Sequence, residues 1–335
     1  MTKQQGRKTP ELVCPAGTPS ALRVAVDAGA DVVYCGFRDE TNARNFPGLN
    51  FSRAEMAEAT EYAHKRKAQV YVTVNTFPQA GKTDLWRKAV DDAVGCGADA
   101  LIVADMGLAS YAAKTHPDTR LHLSVQASAS NPDAIKYYCE TFNVKRVVLP
   151  RVLSVTEITA LNDEIPCETE VFVFGGLCVM AEGRCLLSSY ATGKSPNMNG
   201  VCSPAGDVRY EQGKDGSMDS KLGVFTINRF AESETTGYPT ICKGRFKCGG
   251  NTGYIFEEPS SLDALSMMPD LLQSGVAAFK IEGRQRGRAY TEAVVKAFRK
   301  ALSDYARGWP VKTDALIALA EGGQLTEGAY KKTWR

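Results

Sequence analysis

One pattern repeats through the first half of this 335-residue chain and restricts its fold more than any bulk property: a short β-branched apolar run, a loop, then a helix of amphipathic spacing. Runs at 11–15, 31–36, 69–75, 100–104, 122–126, 146–150 and 170–174 predict strands. Helices are predicted over 19–28, 53–65, 84–95, 107–114, 132–142 and 154–162, several opened by the cap-type residues Ser52, Thr83, Asn131 and Ser154. Segments such as VVYCG, VYVTV and RVVLP are apolar nearly throughout, which suits parallel strands covered on both faces. An eighth run, 277–281 in GVAAFKIEGR, stands far downstream and precedes a helix predicted over 290–305. Eight such units make an α/β, TIM-type (β/α)8-like barrel the economical fold, with a loop-rich insert between units seven and eight.

The expected organisation is a polar leader at 1–10, barrel units one to seven at 11–176, an insert at 177–273, the last barrel unit at 274–306 and a C-terminal appendage at 307–335. The insert is turn-rich, as EQGKDGSMDSKLG shows, with one strand expected at 224–228. It begins directly after strand seven. Loops that follow strand C-termini build the working face of such a barrel, so the insert should lie on or beside that face.

The insert carries Cys178, Cys185, Cys202 and Cys242, separated by six, sixteen and thirty-nine residues. Disulfides, zinc or an iron–sulfur cluster could each gather four thiolates. Zinc knuckles space two cysteines two to four residues apart, and no such pair occurs among these four. A larger cluster can be reached from separate loops. Gly176, Gly183, Gly200 and Gly244 lie within two residues of the four cysteines and allow tight turns that could aim amides at sulfur. Spacing alone leaves a cluster and plain buried thiols both open.

The 40 basic and 38 acidic residues nearly cancel, which gives no global electrostatic case for nucleic acid or an anionic membrane. The charged N-terminus has no apolar run after it, and no stretch approaches eighteen consecutive apolar residues, so a cytoplasmic protein is expected. In that reducing compartment ten cysteines point toward metal, chemistry or core rather than disulfides.

Residues at predicted strand ends form a set of barrel-mouth candidates: Cys14, Asn42, Arg44, Asn75, Asp105, His122, Gln126, Arg151, Glu282 and Arg284. Several arginines in one mouth favour a carboxylate-bearing small molecule. Cys14 and Cys35 read as core or mouth-lining thiols, and Glu282 as an interior partner of an arginine. No G-x-S-x-G elbow, HExxH motif or phosphate-gripping glycine loop is present, and His64 and His116 fall in helix-type sequence as surface residues.

The ordered segments LVCPAG, TNARNF, SVQAS, RVVLPR, GLCVMAEGRCLLSSYATGKSPN, YPTICKGR and KIEGRQR, from Leu12 to Arg288, resemble the collagenase-like peptidases of family U32, and within it the ubiquinone-biosynthesis branch. The resemblance implies a 4Fe-4S cluster on Cys178, Cys185, Cys202 and Cys242, with Cys248 ranked behind Cys242. It implies a subunit of an O2-independent hydroxylase of anaerobic ubiquinone synthesis, in a heterodimer with a related, UbiV-like iron–sulfur protein. The small molecules implied are a ubiquinone precursor and prephenate as oxygen donor, with Asn42, Arg44, His122, Gln126, Arg151 and Arg284 as substrate-binding residues and no catalytic residue assigned. The alternatives are a tRNA or rRNA hydroxylation factor of the same family, or a peptidase.

Overall fold

The computed structural model describes residues 9–199, 201–312 and 316–331, so most of the expected leader and parts of the appendage lie outside the described residues. Strands β1 (Glu11–Pro15), β2 (Val32–Gly36), β3 (Gln69–Val74), β4 (Ala100–Val103), β5 (Arg120–Leu123), β6 (Val144–Val148) and β7 (Glu168–Gly176) lie side by side in chain order and parallel. The last barrel strand, β8 (Ala278–Ile281), pairs in parallel with both β1 and β7 and closes the ring. Helices α1 (Pro19–Asp27), α2 (Arg53–His64), α3 (Thr83–Gly95), α4 (Met106–Thr115), α5 (Pro132–Phe142), α6 (Val155–Glu164), α7 (Met268–Gln273) and α8 (Arg288–Ala306) complete the units.

Local chemistry explains most boundaries. Ser52 and Ser154 each close a capping box with the glutamate three residues on, and Asn131 accepts from the Ala134 amide. Thr83 departs from expectation: it lies inside α3, whose cap, Lys82, makes no side-chain bond. The fifth strand also runs earlier than expected. Ser124 accepts from the Gln126 amide and starts a 3-10 turn over Val125–Ala127, so the apolar alternation of HLSVQAS ends as a turn rather than a strand. β6 likewise begins and ends two residues before the expected 146–150, and Pro150, which has no amide to donate, falls outside it.

Alternating side chains divide the strands between two layers. Val13, Val32, Tyr34, Tyr71, Ala100, Ile102 and Ala278 pack inside the ring, while a much larger apolar layer lies between strands and helices. Small inner residues leave room for a charged layer. Glu170, fully buried, accepts from Lys280 Nζ at 2.6 Å and from Arg146 Nη1 at 3.3 Å, and Arg146 also reaches Glu168 and Glu11. A buried charge layer of this kind is tolerable because nearly every member has an opposite partner.

After β7 the chain leaves the barrel. It forms short helices at Leu187–Thr192 and Pro196–Asn199, an antiparallel sheet of Val208–Gln212, Met218–Leu222 and Phe225–Phe230, and the hairpin Arg245–Cys248 with Asn251–Tyr254. The strand expected at 224–228 is the third of that sheet. Ser261–Asp263 then returns antiparallel to the far end of β7, Asp263 opposite Phe174, before α7 begins. The excursion is therefore one long loop between a barrel strand and its helix, and it emerges at the strands' C-terminal face.

Candidate active site at the barrel mouth

At that face the strand ends surround a small cavity lined by Arg44, Gln126, Arg151 and Arg284 together with Tyr34, Thr73, Lys280 and Glu282. Arg284 is 5% exposed, and its Nη1 donates to Asn42 Oδ1 at 2.6 Å and Thr73 Oγ1 at 2.9 Å, both neutral groups. Among the described residues no carboxylate forms an ion pair with it. Burial, with the like charge of Arg44 as a smaller cause, pulls its pKa down to about 10, so it stays cationic at neutral pH. An anion entering the mouth would relieve that cost.

Arg151 is the second anchor. Its Nη1 donates to Glu182 Oε1, both side chains are 5% exposed, and its guanidinium lies over the Phe172 ring, 3.6 Å from the centroid. Glu182 belongs to the loop that carries Cys178 and Cys185, so this pair fastens the cysteine loop across the mouth. Ser128 Oγ donates to the Glu182 carbonyl from the barrel side. Gly183 makes the closest approach: its φ is +87°, and a Cβ there would lie 1.9 Å from the Gln126 carbonyl oxygen. Gly183→Ala is expected to lift the loop, since a left-handed residue with Cβ costs about 1–2 kcal/mol even before the backbone clash. A lowered thermal midpoint would be the readout, and an unchanged protein would refute the contact.

The four insert cysteines share one neighbourhood. Cys202 acts electrostatically on Cys178, and Cys185 and Cys202 both act on Cys242. Cys242 sits in the 3-10 turn Ile241–Lys243, which is held by buried Lys243 bonding the Ser260 carbonyl at 3.0 Å and Glu321 at 2.7 Å. Burial pushes the Cys242 thiol up to about 12. Among the described residues no three histidine, cysteine or acidic side chains converge as a single ion would require. Cys248 lies exposed at the end of its hairpin strand. Gly200, beside Cys202, is outside the described residues.

Of the expected substrate residues, Arg44, Gln126, Arg151 and Arg284 come together in the mouth, and Asn42 stands behind Arg284 as its hydrogen-bond acceptor. His122 does not join them. With β5 starting at Arg120, it points into the ring, where Nε2 accepts from Arg120 Nε at 2.8 Å and the imidazole meets Tyr71 edge-on, centroids 4.6 Å apart. Burial, reinforced by Arg146 and Arg120, drives its pKa well down and keeps it neutral. Glu282 also departs from expectation, pairing with no arginine among the described residues and instead accepting from the Gly176 amide at 3.0 Å. Asp105 caps α4 through the Leu108 amide, Asn75 accepts from the Ala43 amide and lines the mouth, and Cys14 and Cys35 are buried in the outer core.

Sequence reasoning missed Tyr34, Lys280 and Glu182. Tyr34 donates to the Ile281 carbonyl at 2.9 Å, and Lys280 Nζ sits 3.7 Å from the Tyr34 ring centroid. Burial lowers the Lys280 pKa despite its Glu170 partner. A lysine between Phe279 and Ile281 in an apolar strand was a visible signal of an inward charge.

Relatives of known name align with most of this chain. The chain is 32% identical to tRNA hydroxylation protein P of Escherichia coli (strain K12), over 96% of its own length and 75% of that protein's. It is 30% identical to tRNA hydroxylation protein P1 of Bacillus subtilis (strain 168), over 89% of its length and 64% of that protein's. It is 28% identical to the 23S rRNA 5-hydroxycytidine C2501 synthase of Escherichia coli (strain K12), over 87% of its length and 39% of that protein's. The family model for peptidase family U32 matches residues 17–328. On that match the chain belongs to peptidase family U32.

Proposed function

We propose that this chain is an oxygen-independent hydroxylation factor that binds a carboxylate-bearing oxygen donor in the barrel mouth, beneath a 4Fe-4S cluster held by Cys178, Cys185, Cys202 and Cys242. The observation that carries the reading is Arg284, a buried cation that forms no ion pair among the described residues, in a mouth covered by the loop that bears two of the cysteines. The names of the RNA-hydroxylating relatives support the reaction class. That Cys178, Cys185, Cys202 and Cys242 act electrostatically on one another supports a shared site for the four thiols. Held by these four thiolates and fully ligated, such a cluster would supply electrons. The chain's own residues bind and orient: Arg284 and Arg44 take the donor's carboxylates, Arg151 holds the loop shut, and Phe172 and Tyr34 wall the cavity.

For the acceptor, the relatives' names support an RNA base. A second reading, hydroxylation of a ubiquinone precursor with prephenate as donor and a UbiV-like partner in a heterodimer, is favoured by the TNARNF and EGRCLLSSYATG segments and by the balanced charge. Peptidase chemistry finds little support: among the described residues no serine, threonine or cysteine side chain is hydrogen-bonded to His64, His116 or His122.

The deciding experiment deletes the gene and measures hydroxylated nucleosides in tRNA and rRNA alongside ubiquinone after anaerobic growth. Loss of one product names the acceptor, and loss of neither overturns the hydroxylation reading. For the donor, Arg284→Met is expected to weaken prephenate binding about 10- to 100-fold by calorimetry, the effect of losing charge-assisted hydrogen bonds worth about 1.5–3 kcal/mol. Arg284→Lys should restore little of it, because a point charge does not reproduce the guanidinium fork. Equal affinity in all three proteins would remove Arg284 from the donor site.

A further inference from the structure

The opposite end of the barrel carries a feature that the mouth does not use. A groove of about 670 Å³ opens at the N-terminal ends of β5, β6 and β7. Among its walls are Cys139, on the last turns of α5, and Cys167, immediately before β7. Both are half-buried and packed against the outer apolar core. Both sulfurs line the same open groove, one from the end of a helix and the other from the start of a strand, and each acts on the other's ionisation.

Their surroundings are unequal. The Cys167 side chain pulls the Cys139 thiol down, with Lys145 helping against burial, while Cys139 and burial push Cys167 up. Lys145 lines the same groove. Its charge favours the thiolate at Cys139, the sulfur that would attack first in a dithiol that closes in two steps.

We propose that Cys139 and Cys167 form a reversible intramolecular disulfide by exchange with a low-molecular-weight disulfide, a redox site at the barrel end away from the cysteine loop. In the first step the Cys139 thiolate attacks one sulfur of the small disulfide. The new S–S bond joins Cys139 to half of the reagent, the old S–S bond breaks, and the other half departs as thiolate. Cys167 then loses its proton and attacks the Cys139 sulfur, expelling the second half. Two protein thiols are oxidised by two electrons in all, and one small disulfide is reduced to two thiols. The bridge ties the end of α5 to the start of β7 across β6 and α6, and a dithiol reductant reverses it. This inference does not depend on the cluster or on the acceptor.

The test uses the full chain purified anaerobically with its cofactor retained, treated with oxidised glutathione, and digested for peptide mass spectrometry without reduction. The expected result is a Cys139–Cys167 linked peptide ahead of oxidation at other cysteines, with a thermal midpoint higher by about 4–8 °C. Cys167→Ser should stop at a glutathione adduct on Cys139, and Cys139→Ser should give no adduct on Cys167 at the same reagent concentration. A wild-type chain with no 139–167 link, or a Cys139→Ser chain that takes up glutathione at Cys167 as fast as wild type takes it up at Cys139, overturns the proposal.

Discussion

Replacing any one of Cys178, Cys185, Cys202 and Cys242 by alanine is expected to drop iron and acid-labile sulfide from about four of each per chain to near none in anaerobically purified protein. The expected loss is large because little apolar packing holds the insert. Its buried apolar residues include only a handful of large side chains, Val201, Leu222, Ile227 and Phe230 among them, whereas the barrel has a continuous outer core. With the proposed cluster bound, a segment so thin in apolar contact would draw much of its order from the metal, so ligand loss and local unfolding should arrive together. Cys248→Ala, exposed on its hairpin, should keep its iron and sulfide and serves as the control. Zinc without sulfide in the wild type, or a Cys248 that proves indispensable in place of Cys242, would reject the assignment.

How far such a site can be read from sequence depends on which physical signal marks each residue. The barrel was legible because parallel strands buried on both faces leave unbroken apolar runs, and helices between them leave 3.6-residue periodicity; α5 falls on its expected bounds, Pro132–Phe142. Boundaries set by a single side chain were not: nothing in HLSVQAS announces that the Ser124 hydroxyl ends the strand, and His122 lies within the strand, opposite the inward Ile102, rather than at its mouth end. Arginines at strand ends were legible because position on a barrel strand fixes which face a residue serves. Glu182 was not, because its role comes from a fold-back of the insert onto the barrel, a contact between residues 31 apart that no local pattern encodes. Tyr34 and Lys280 fall between these cases, since inward alternation marked them but the expected mouth was drawn from strand ends alone.

That fold-back makes the Arg151–Glu182 pair the second large expectation. Arg151→Met keeps an apolar stem near Phe172 and removes the guanidinium, leaving Glu182 in a site where its side chain is 5% exposed. Breaking a buried pair from one side costs about 3–5 kcal/mol, because the remaining charge is desolvated without compensation. For a chain of this size that is a fall in thermal midpoint on the order of 4–7 °C. Burial already holds the Glu182 carboxyl above its ordinary range even with Arg151 beside it, and without Arg151 it rises further. A carboxyl whose folded pKa lies above its unfolded value makes folding take up a proton, so stability falls as pH rises through that interval. The Arg151→Met defect should therefore be smaller at pH 5 than at pH 8. Adding Glu182→Gln to Arg151→Met removes the stranded charge, and the double variant should be more stable at pH 8 than Arg151→Met alone. Additive losses in the double variant, or a pH-independent defect, would mean that Glu182 does not close the cysteine loop through its charge. If the pair is the fastening, Arg151→Met should also lose iron faster than wild type in air, although it touches none of the four cysteines' own positions.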